Sequence, residues 1–340
     1  MHLVRSASLG SYEQVAREAN LDSFRMLREA GIHHSALRDP DLMIDVDAVG
    51  RLLERSARMS GLSDFGLRMA EHGRLSNLGP VALVMREEPT VRKAIECLVR
   101  YLRLHNEGLQ ARLDDDGELT IIHIDLIMAT TAPARQGLEL SVGVLARILS
   151  LFLGKSWIPE CVCFSHDRPG DLTRHHRIFG PNVEFGHDFN GIVCRSGDLE
   201  TAISTADASM ARIVRRQLDD LLTGTSDTTL GKVRKLVLIL LPLGQCTVER
   251  VGRSLGVDRR TVARHLAAEG ETFSSVLDAM RAELAQRHLL GSDRPLSDVA
   301  ELLGFSELSS FSRWFARRFG CSASSWKLRA SQAAAKDWVI

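Results

Sequence analysis

The sequence predicts an α+β N-terminal domain followed by an all-α C-terminal domain built from two helix-turn-helix units, and three observations carry that division. A polar run, Thr223-Gly224-Thr225-Ser226-Asp227-Thr228-Thr229, separates two stretches of apolar periodicity and holds no apolar side chain itself. Before it, helical spacing alternates with strand-like segments; after it, no strand-like alternation occurs. The charge is also unevenly divided. Residues 1–225 carry 26 Lys+Arg against 31 Asp+Glu and residues 226–340 carry 17 against 12, although the whole chain of 340 residues balances at 43 against 43. A basic C-terminal third points to a polyanionic partner for that part alone. The expected organisation is a domain over 1–222, a linker over 223–229, a helical domain over 230–330 and a tail over 331–340.

In the first domain, residues 9–106 read mainly as helices. Tyr12, Val15, Ala16 and Ala19 form one apolar face, Val46, Val49, Leu52 and Leu53 a second, and Val91, Ala94, Ile95, Leu98, Leu102 and His105 a third. Leu109–Leu113 and Leu119–Ile124 flank an acidic, Gly-containing turn at Asp114-Asp115-Asp116-Gly117, a hairpin signal. Helix returns from Ala134 to Leu153. Cys161–Phe164 and Val183–Phe185 read as strands, and a last helix spans about 207–222.

In the second domain, Thr247–Leu255, the turn Gly256-Val257-Asp258 and Arg259–Glu269 read as helix, tight turn, helix, with Gly252 where the helices cross and Asp258 as N-cap. With Val262 and Leu266 inward, Arg260, Ala263 and Arg264 take the outer face. The pattern recurs some fifty residues on: Pro295–Leu303, the turn Gly304-Phe305-Ser306, and Glu307–Phe319 with Phe311, Phe315 and Phe319 at i, i+4, i+8. Burying that stripe leaves Ser309, Ser312 and Arg313 outward, places Arg317 and Arg318 at the helix end, and puts Trp314 at the core edge. Glu271–Leu290 connects the units; from Thr272 to Leu290 it would be ~28 Å long, near one DNA turn of ~34 Å.

The connecting-helix residues Arg281, Ala285, Leu289 and Leu290, the run Leu296–Phe305, and Phe311-Ser312-Arg313-Trp314-Phe315 followed by Phe319-Gly320 resemble the AraC/XylS transcription regulators over roughly residues 229–330. Two positions depart from the family pattern: Ala323 stands where it has Pro, and Lys327 where it has Arg. The N-terminal region resembles the sensor domain of one AraC branch, labelled arabinose-binding-like. That resemblance rests on Asp39-Pro40-Asp41, Asp64–Arg68, Leu78-Gly79-Pro80, Arg100–Asn106, and Phe179-Gly180 leading to Val183–Gly186. The resemblance implies a DNA-binding regulator controlled by a small-molecule effector, commonly a homodimer, with double-stranded DNA and RNA polymerase as partners. Base contacts are expected from Arg260, Ala263, Arg264, Ser309, Ser312 and Arg313 on the outer faces, because an Arg fork matches guanine O6 and N7 whereas backbone contacts only position the protein. Phosphate contacts are expected from Arg259, Arg317 and Arg318. Tyr101, Arg103, His105 and Asn106 are the polar candidates for an effector pocket.

Other chemistries find little support. Gly252-Arg253-Ser254-Leu255-Gly256 matches a nucleophile elbow in letters, but a helix precedes Ser254 where an elbow needs a strand. Gly231-Lys232 lacks the earlier Gly and the Ser/Thr of a phosphate loop. His166, His175, His176 and His187 with Cys161 and Cys163 lack metal-ligand spacing, so no metal or cofactor is expected. Six scattered cysteines read as small hydrophobes in a reducing cytoplasm, and the N-terminus lacks a signal-peptide pattern. The apolar stretch Leu138–Gly154 carries Glu139 and Arg147 and falls short of the ~20 residues that cross a bilayer. No catalytic residues are assigned. The alternatives are a constitutive DNA-binding protein whose N-terminal domain only dimerises, and an enzyme fused to a DNA-targeting module.

Overall fold

In a computed structural model, residues 2–128, 134–204, 206–223, 228–290 and 294–336 are described. The chain divides into two compact units, Met1–Thr225 and Ser226–Ile340. Along the first unit run β1 (Leu3–Arg5), α1 (Tyr12–Glu18), α2 (Ser23–Ala30), β2 (Met43–Asp45), α3 (Val46–Ser60), α4 (Phe65–His72), α5 (Pro80–Arg86) and α6 (Val91–His105). Next come β3 (Leu109–Asp116), β4 (Leu119–Leu126), α7 (Arg135–Leu153), β5 (Cys161–Phe164), α8 (Thr173–Phe179), β6 (Val183–Phe185), β7 (Gly191–Arg195), α9 (Ser196–Leu199) and α10 (Ala208–Thr223). β1 and β2 pair antiparallel. The other strands form a mixed sheet in the order β3-β4-β7-β5-β6, parallel only between β5 and β6, where α8 makes the crossover.

The hairpin falls where the alternation places it, but its acidic residues do not make the turn. Asp114, Asp115 and Asp116 continue β3, pairing with Ile121, Thr120 and Leu119, and the reversal is Gly117-Glu118 with Gly117 at φ 62°. Asp115 tolerates a strand because Thr120 donates to it at 2.6 Å and Arg92 at 3.1 Å. Five elements carry no readable pattern: β1, β2, α8, β7 and α9. The first two have three residues each, too few to show a period.

The reading of Leu138–Gly154 as too short to span a bilayer is corrected, since α7 is a helix of 19 residues and apolar enough by composition to do so. Half of it lies inside the unit. Leu138, Val142, Leu145 and Leu149 enter the larger core, and Glu139 is fully buried beside Arg135 at 2.8 Å. Two apolar cores fill this unit. One gathers α5, α6, α7 and the sheet, and the other gathers α1 to α4 with Val4.

The second unit is helical throughout: α11 (Thr229–Leu240), α12 (Val248–Ser254), α13 (Arg259–Ala268), α14 (Phe273–Leu290), α15 (Leu296–Leu302), α16 (Leu308–Phe319) and α17 (Ala323–Lys336). Side-chain caps start several of them. The Asp258 carboxylate accepts from Thr261 N at 2.7 Å, a bond that holds its pKa below the usual carboxylate range. Thr272 caps α14 through Ser275 N at 3.0 Å, so the connecting helix starts at Phe273, two residues after the expected Glu271, with 18 residues and ~27 Å. α17 begins at Ala323 without the family's proline. One core serves both helix-turn-helix units and includes Val251, Val262, Leu266, Met280, Ala285, Val299, Phe311 and Phe315.

Two glycines set the helix crossings. A Cβ on Gly252 would stand 2.8 Å from Val257 O, the close approach the first unit requires. Gly304 has φ 71°, and a Cβ there would stand 2.9 Å from Leu241 O at the end of α11. Gly304→Ala should therefore destabilise the second unit by about 1–3 kcal/mol through left-handed backbone strain and overpacking. Urea unfolding followed by fluorescence of the buried Trp314 measures the loss, and an unchanged midpoint would contradict the crossing geometry.

Candidate functional sites

Burial decides which residues of α13 and α16 face outward. Val262 and Leu266 are fully buried, which leaves Arg260, Ala263 and Arg264 exposed. Phe311 and Phe315 are fully buried, which leaves Ser309, Ser312 and Arg313 exposed. The side chains of Arg260, Arg264 and Arg317 make no hydrogen bond or ion pair among the described residues, and that of Arg313 reaches Ser310 Oγ at 3.4 Å. Arg259 and Arg318 are differently placed. Arg259 Nη1 lies 3.2 Å from Glu249 Oε1, and Arg318 Nε lies 3.4 Å from Asp278 Oδ2, so each shares its charge with a carboxylate.

Behind these faces the second unit is locked onto α14. Trp314 Nε1 donates to Asp278 Oδ1 at 2.6 Å, which places the indole at the core edge as its sequence position suggests. Arg281, half-buried, donates from Nε to Leu303 O at 3.0 Å while its guanidinium lies 4.4 Å from the Phe305 ring centre. It thus closes the carbonyl end of α15 and covers the turn that follows. Two exposed helix faces, each with an arginine free of carboxylate, are held by one shared core, a geometry suited to two adjacent major-groove segments.

The first unit contains a cavity of about 120 Å³ between its two cores. Val4, Val49, Leu53 and Met69 wall it from one core, and Ile95, Leu98, Leu102 and Ile124 from the other. Its room is roughly eight times the ~10–15 Å³ one water needs. Of the four polar residues singled out in the sequence, the structure brings His105 and Asn106 to this cavity. Tyr101 instead donates to Asp219 Oδ1 of α10 at 2.8 Å, and its burial raises its pKa to about 12. Arg103 lies on an outer hollow with Arg100, Gln110, Arg112 and Asp125. Sequence reasoning missed Ser8, Ser11, Asn77 and Ser141, which also line the cavity. They come from segments scattered over 130 residues, and no spacing within one element marks them.

The histidines and cysteines of residues 161–187 do converge in part, although their spacing does not suggest it. His175 Nε2 and His166 Nε2 lie 3.2 and 3.3 Å from Glu139 Oε1, which Arg135 also contacts. Cys161, Cys163 and Glu184 offer ligand atoms within 4.8 Å of one another. The thiols sit 3.8 Å apart, and burial pushes Cys163 up to about 12, which keeps it protonated.

Comparison with known proteins gives the same two parts. Residues 21–203 match the family model of the arabinose-binding domain of AraC transcription regulator, N-terminal, and residues 251–329 match a helix-turn-helix domain. The chain is 30% identical to the HTH-type transcriptional regulator VirS of Mycobacterium tuberculosis over 94% of both chains. It is 26% identical to the ornithine utilization regulator of Pseudomonas aeruginosa over 90% of this chain and 89% of that one. Among solved structures, the transcriptional regulator CdpR from Pseudomonas aeruginosa aligns with 21% identity and a TM-score of 0.46, covering 93% of this chain and 96% of that one.

The cavity imidazole has a consequence for pH. His105 Nδ1 is buried with no hydrogen-bond partner among the described residues, and burial, assisted by the positive charge of Arg5, lowers its pKa to about 4. Between pH 4 and the unfolded value near 6.5 the unfolded chain binds the extra proton. Stability is therefore full above 6.5, falls as pH drops through that window, and levels below it, by ~3 kcal/mol at most. His105→Phe should flatten this part of the pH–stability profile of the full chain, measured by urea unfolding from pH 4 to 7; an unchanged slope would refute the burial of the ring nitrogen.

Proposed function

The chain belongs to the family of AraC transcription regulators, and from that premise we propose that it is a sequence-specific DNA-binding regulator governed by a small-molecule effector bound in its first unit. The observation that supports this reading best is the pairing of two exposed, arginine-bearing helix faces on one core with a mostly apolar cavity in the other unit. In this reading Arg260, Ala263, Arg264, Ser309, Ser312 and Arg313 meet base edges, while Arg259, Arg317 and Arg318 meet phosphates. The protein acts in the cytoplasm as a homodimer, contacts RNA polymerase from its bound position, and carries out no catalysis.

The base-reading roles are tested on an operator recovered by mapping bound genomic sites. Arg264→Ala and Arg313→Ala should each weaken specific binding by roughly 1–3 kcal/mol and relax the base preference locally. Arg317→Ala should weaken all sequences alike and reduce the salt slope by about 1. Equal losses on operator and random DNA for Arg264→Ala would remove its base-reading role. Effector control is tested in a reporter strain across growth conditions: a chain reduced to residues 226–340 should bind but lose condition-dependent output, and unchanged regulation would mean the first unit senses nothing.

The length of α14 gives a geometric test. With α14 as a rigid ~27 Å spacer, the proposed recognition helices would read two segments on one face of the duplex about 10 base pairs apart. Inserting 5 base pairs between the subsites should abolish simultaneous contact, because bending at ~1–6 kcal/mol relieves a small mismatch but no half-turn rotation. Inserting 10 base pairs leaves the subsites on one face but out of reach. Undiminished affinity at 5 would show that a single helix-turn-helix reads DNA.

A further inference from the structure

The cavity lining is specific about what it would accept. It contains no Asp or Glu, and its sole ionisable side chains are His105 and Arg74, the latter exposed. Most of its other polar groups are already committed: Ser11 Oγ donates to Met69 O at 2.9 Å, Ser141 Oγ donates to Gly137 O at 2.8 Å, and Asn106 Oδ1 accepts from Gly108 N at 2.9 Å. Two atoms stand apart. Ser8 and His105 both line this space, and Ser8 Oγ and His105 Nδ1 are buried with no hydrogen-bond partner among the described residues. A buried hydroxyl or ring nitrogen left unpaired costs about 1–3 kcal/mol, so each is a place where a ligand gains what the empty protein forgoes. A cationic head group would lose its hydration here with no carboxylate in the lining to receive it, whereas a neutral polar group loses far less. The one lining cation other than the imidazole, Arg74, is exposed and keeps its own hydration.

We infer that this cavity binds an uncharged, mostly apolar small molecule carrying one hydrogen-bonding group, such as a hydroxyl or carbonyl, that meets Ser8 Oγ and His105 Nδ1. The inference rests on the reading of the first unit as a sensor and adds the chemical class of its ligand. The apolar body lies between Val49, Leu53, Leu98 and Leu102, and the polar group points toward the N-terminal turn Ser6–Leu9 and the end of α6. The ligand therefore touches both cores at once. Its binding free energy adds to the cohesion of the seam rather than to either core alone.

The test uses the full-length protein and two probes of equal chain length, 1-octanol and octylammonium, each at 1 mM in a thermal-unfolding series. Octanol should raise Tm and octylammonium should not. Val144→Phe, which fills the cavity from α7, should abolish the octanol shift. Ser8→Ala and His105→Phe should weaken octanol binding by about threefold to tenfold, the loss of one hydrogen bond each. They should also leave the ligand-free Tm unchanged or higher, because each removes an unpaired polar atom; a purely structural role for these side chains would lower it. Equal shifts from both probes, or an octanol affinity untouched by Val144→Phe, would overturn the proposal. Failure of this class alone leaves the truncation to residues 226–340 still removing condition-dependent output in cells, whereas failure of the sensor reading leaves that output intact.

Discussion

A helix buried along one stripe can rock on its neighbours, but a helix buried on several sides cannot, and α14 is of the second kind. Val276, Met280, Ala282, Leu284, Ala285, His288 and Leu289 are all buried, a set too wide for one face of a helix. α14 packs against α11, α13, α15 and α17, and side-chain bonds from Asp278 and Arg281 tie it to α16 and to the end of α15. Moving either helix-turn-helix relative to the other would expose apolar area at ~25 cal/mol per Å² and break the charged bonds at the Asp278 and Arg281 positions. The exposed faces of α13 and α16 are consequently fixed by what lies beneath them. Their polar residues are the remainder after the core has taken its share.

The first unit obeys a different constraint. Its two cores meet without filling the seam, which forgoes contact energy that a close-packed interior would gain. Protein interiors rarely tolerate such a void alongside unpaired polar atoms. The packing around it is otherwise tight: a Cβ on Gly66 would stand 2.1 Å from Gln136 O, and one on Gly143 2.7 Å from Ala70 Cβ, both between α4 and α7.

How much of this was legible depended on whether the signal was local. The second domain is local throughout: each helix has its own period, each turn its glycine, and Asp258 performs the capping its position implies. The hairpin announced itself by alternation, although the acidic triplet drew attention to the wrong residues for the turn. By contrast β1 and β2 are three-residue strands recognisable only through their pairing, and β7 takes the middle of the sheet with nothing in Gly191–Arg195 to say so. The cavity was the least legible feature. Ser8, Asn77, His105 and Ser141 meet only because the turns Ser6–Leu9 and Leu75–Leu78 converge with α6 and α7, and Tyr101, a polar candidate from the same helix as His105, is aimed at α10 instead.

The arginines illustrate how one residue type divides its work by its neighbours. Arg259 and Arg318 are pre-oriented by Glu249 and Asp278, and an exposed pair of that kind is worth only about 0–1 kcal/mol. On the proposed interface a phosphate can replace the carboxylate at small cost, and the side chain already points in a fixed direction. The Arg260 and Arg264 side chains have no such partner among the described residues and keep their donors for whatever the outer face meets. At the Arg259 and Arg318 positions pairing suits contacts that only position a protein on its duplex, where direction matters more than choice. Arg317, unpaired among the described residues yet assigned to a phosphate, is set apart by its place at the end of α16 instead. An unpaired fork on a rigid helix favours contacts that discriminate, because its energy depends wholly on whether the base edge before it offers two acceptors.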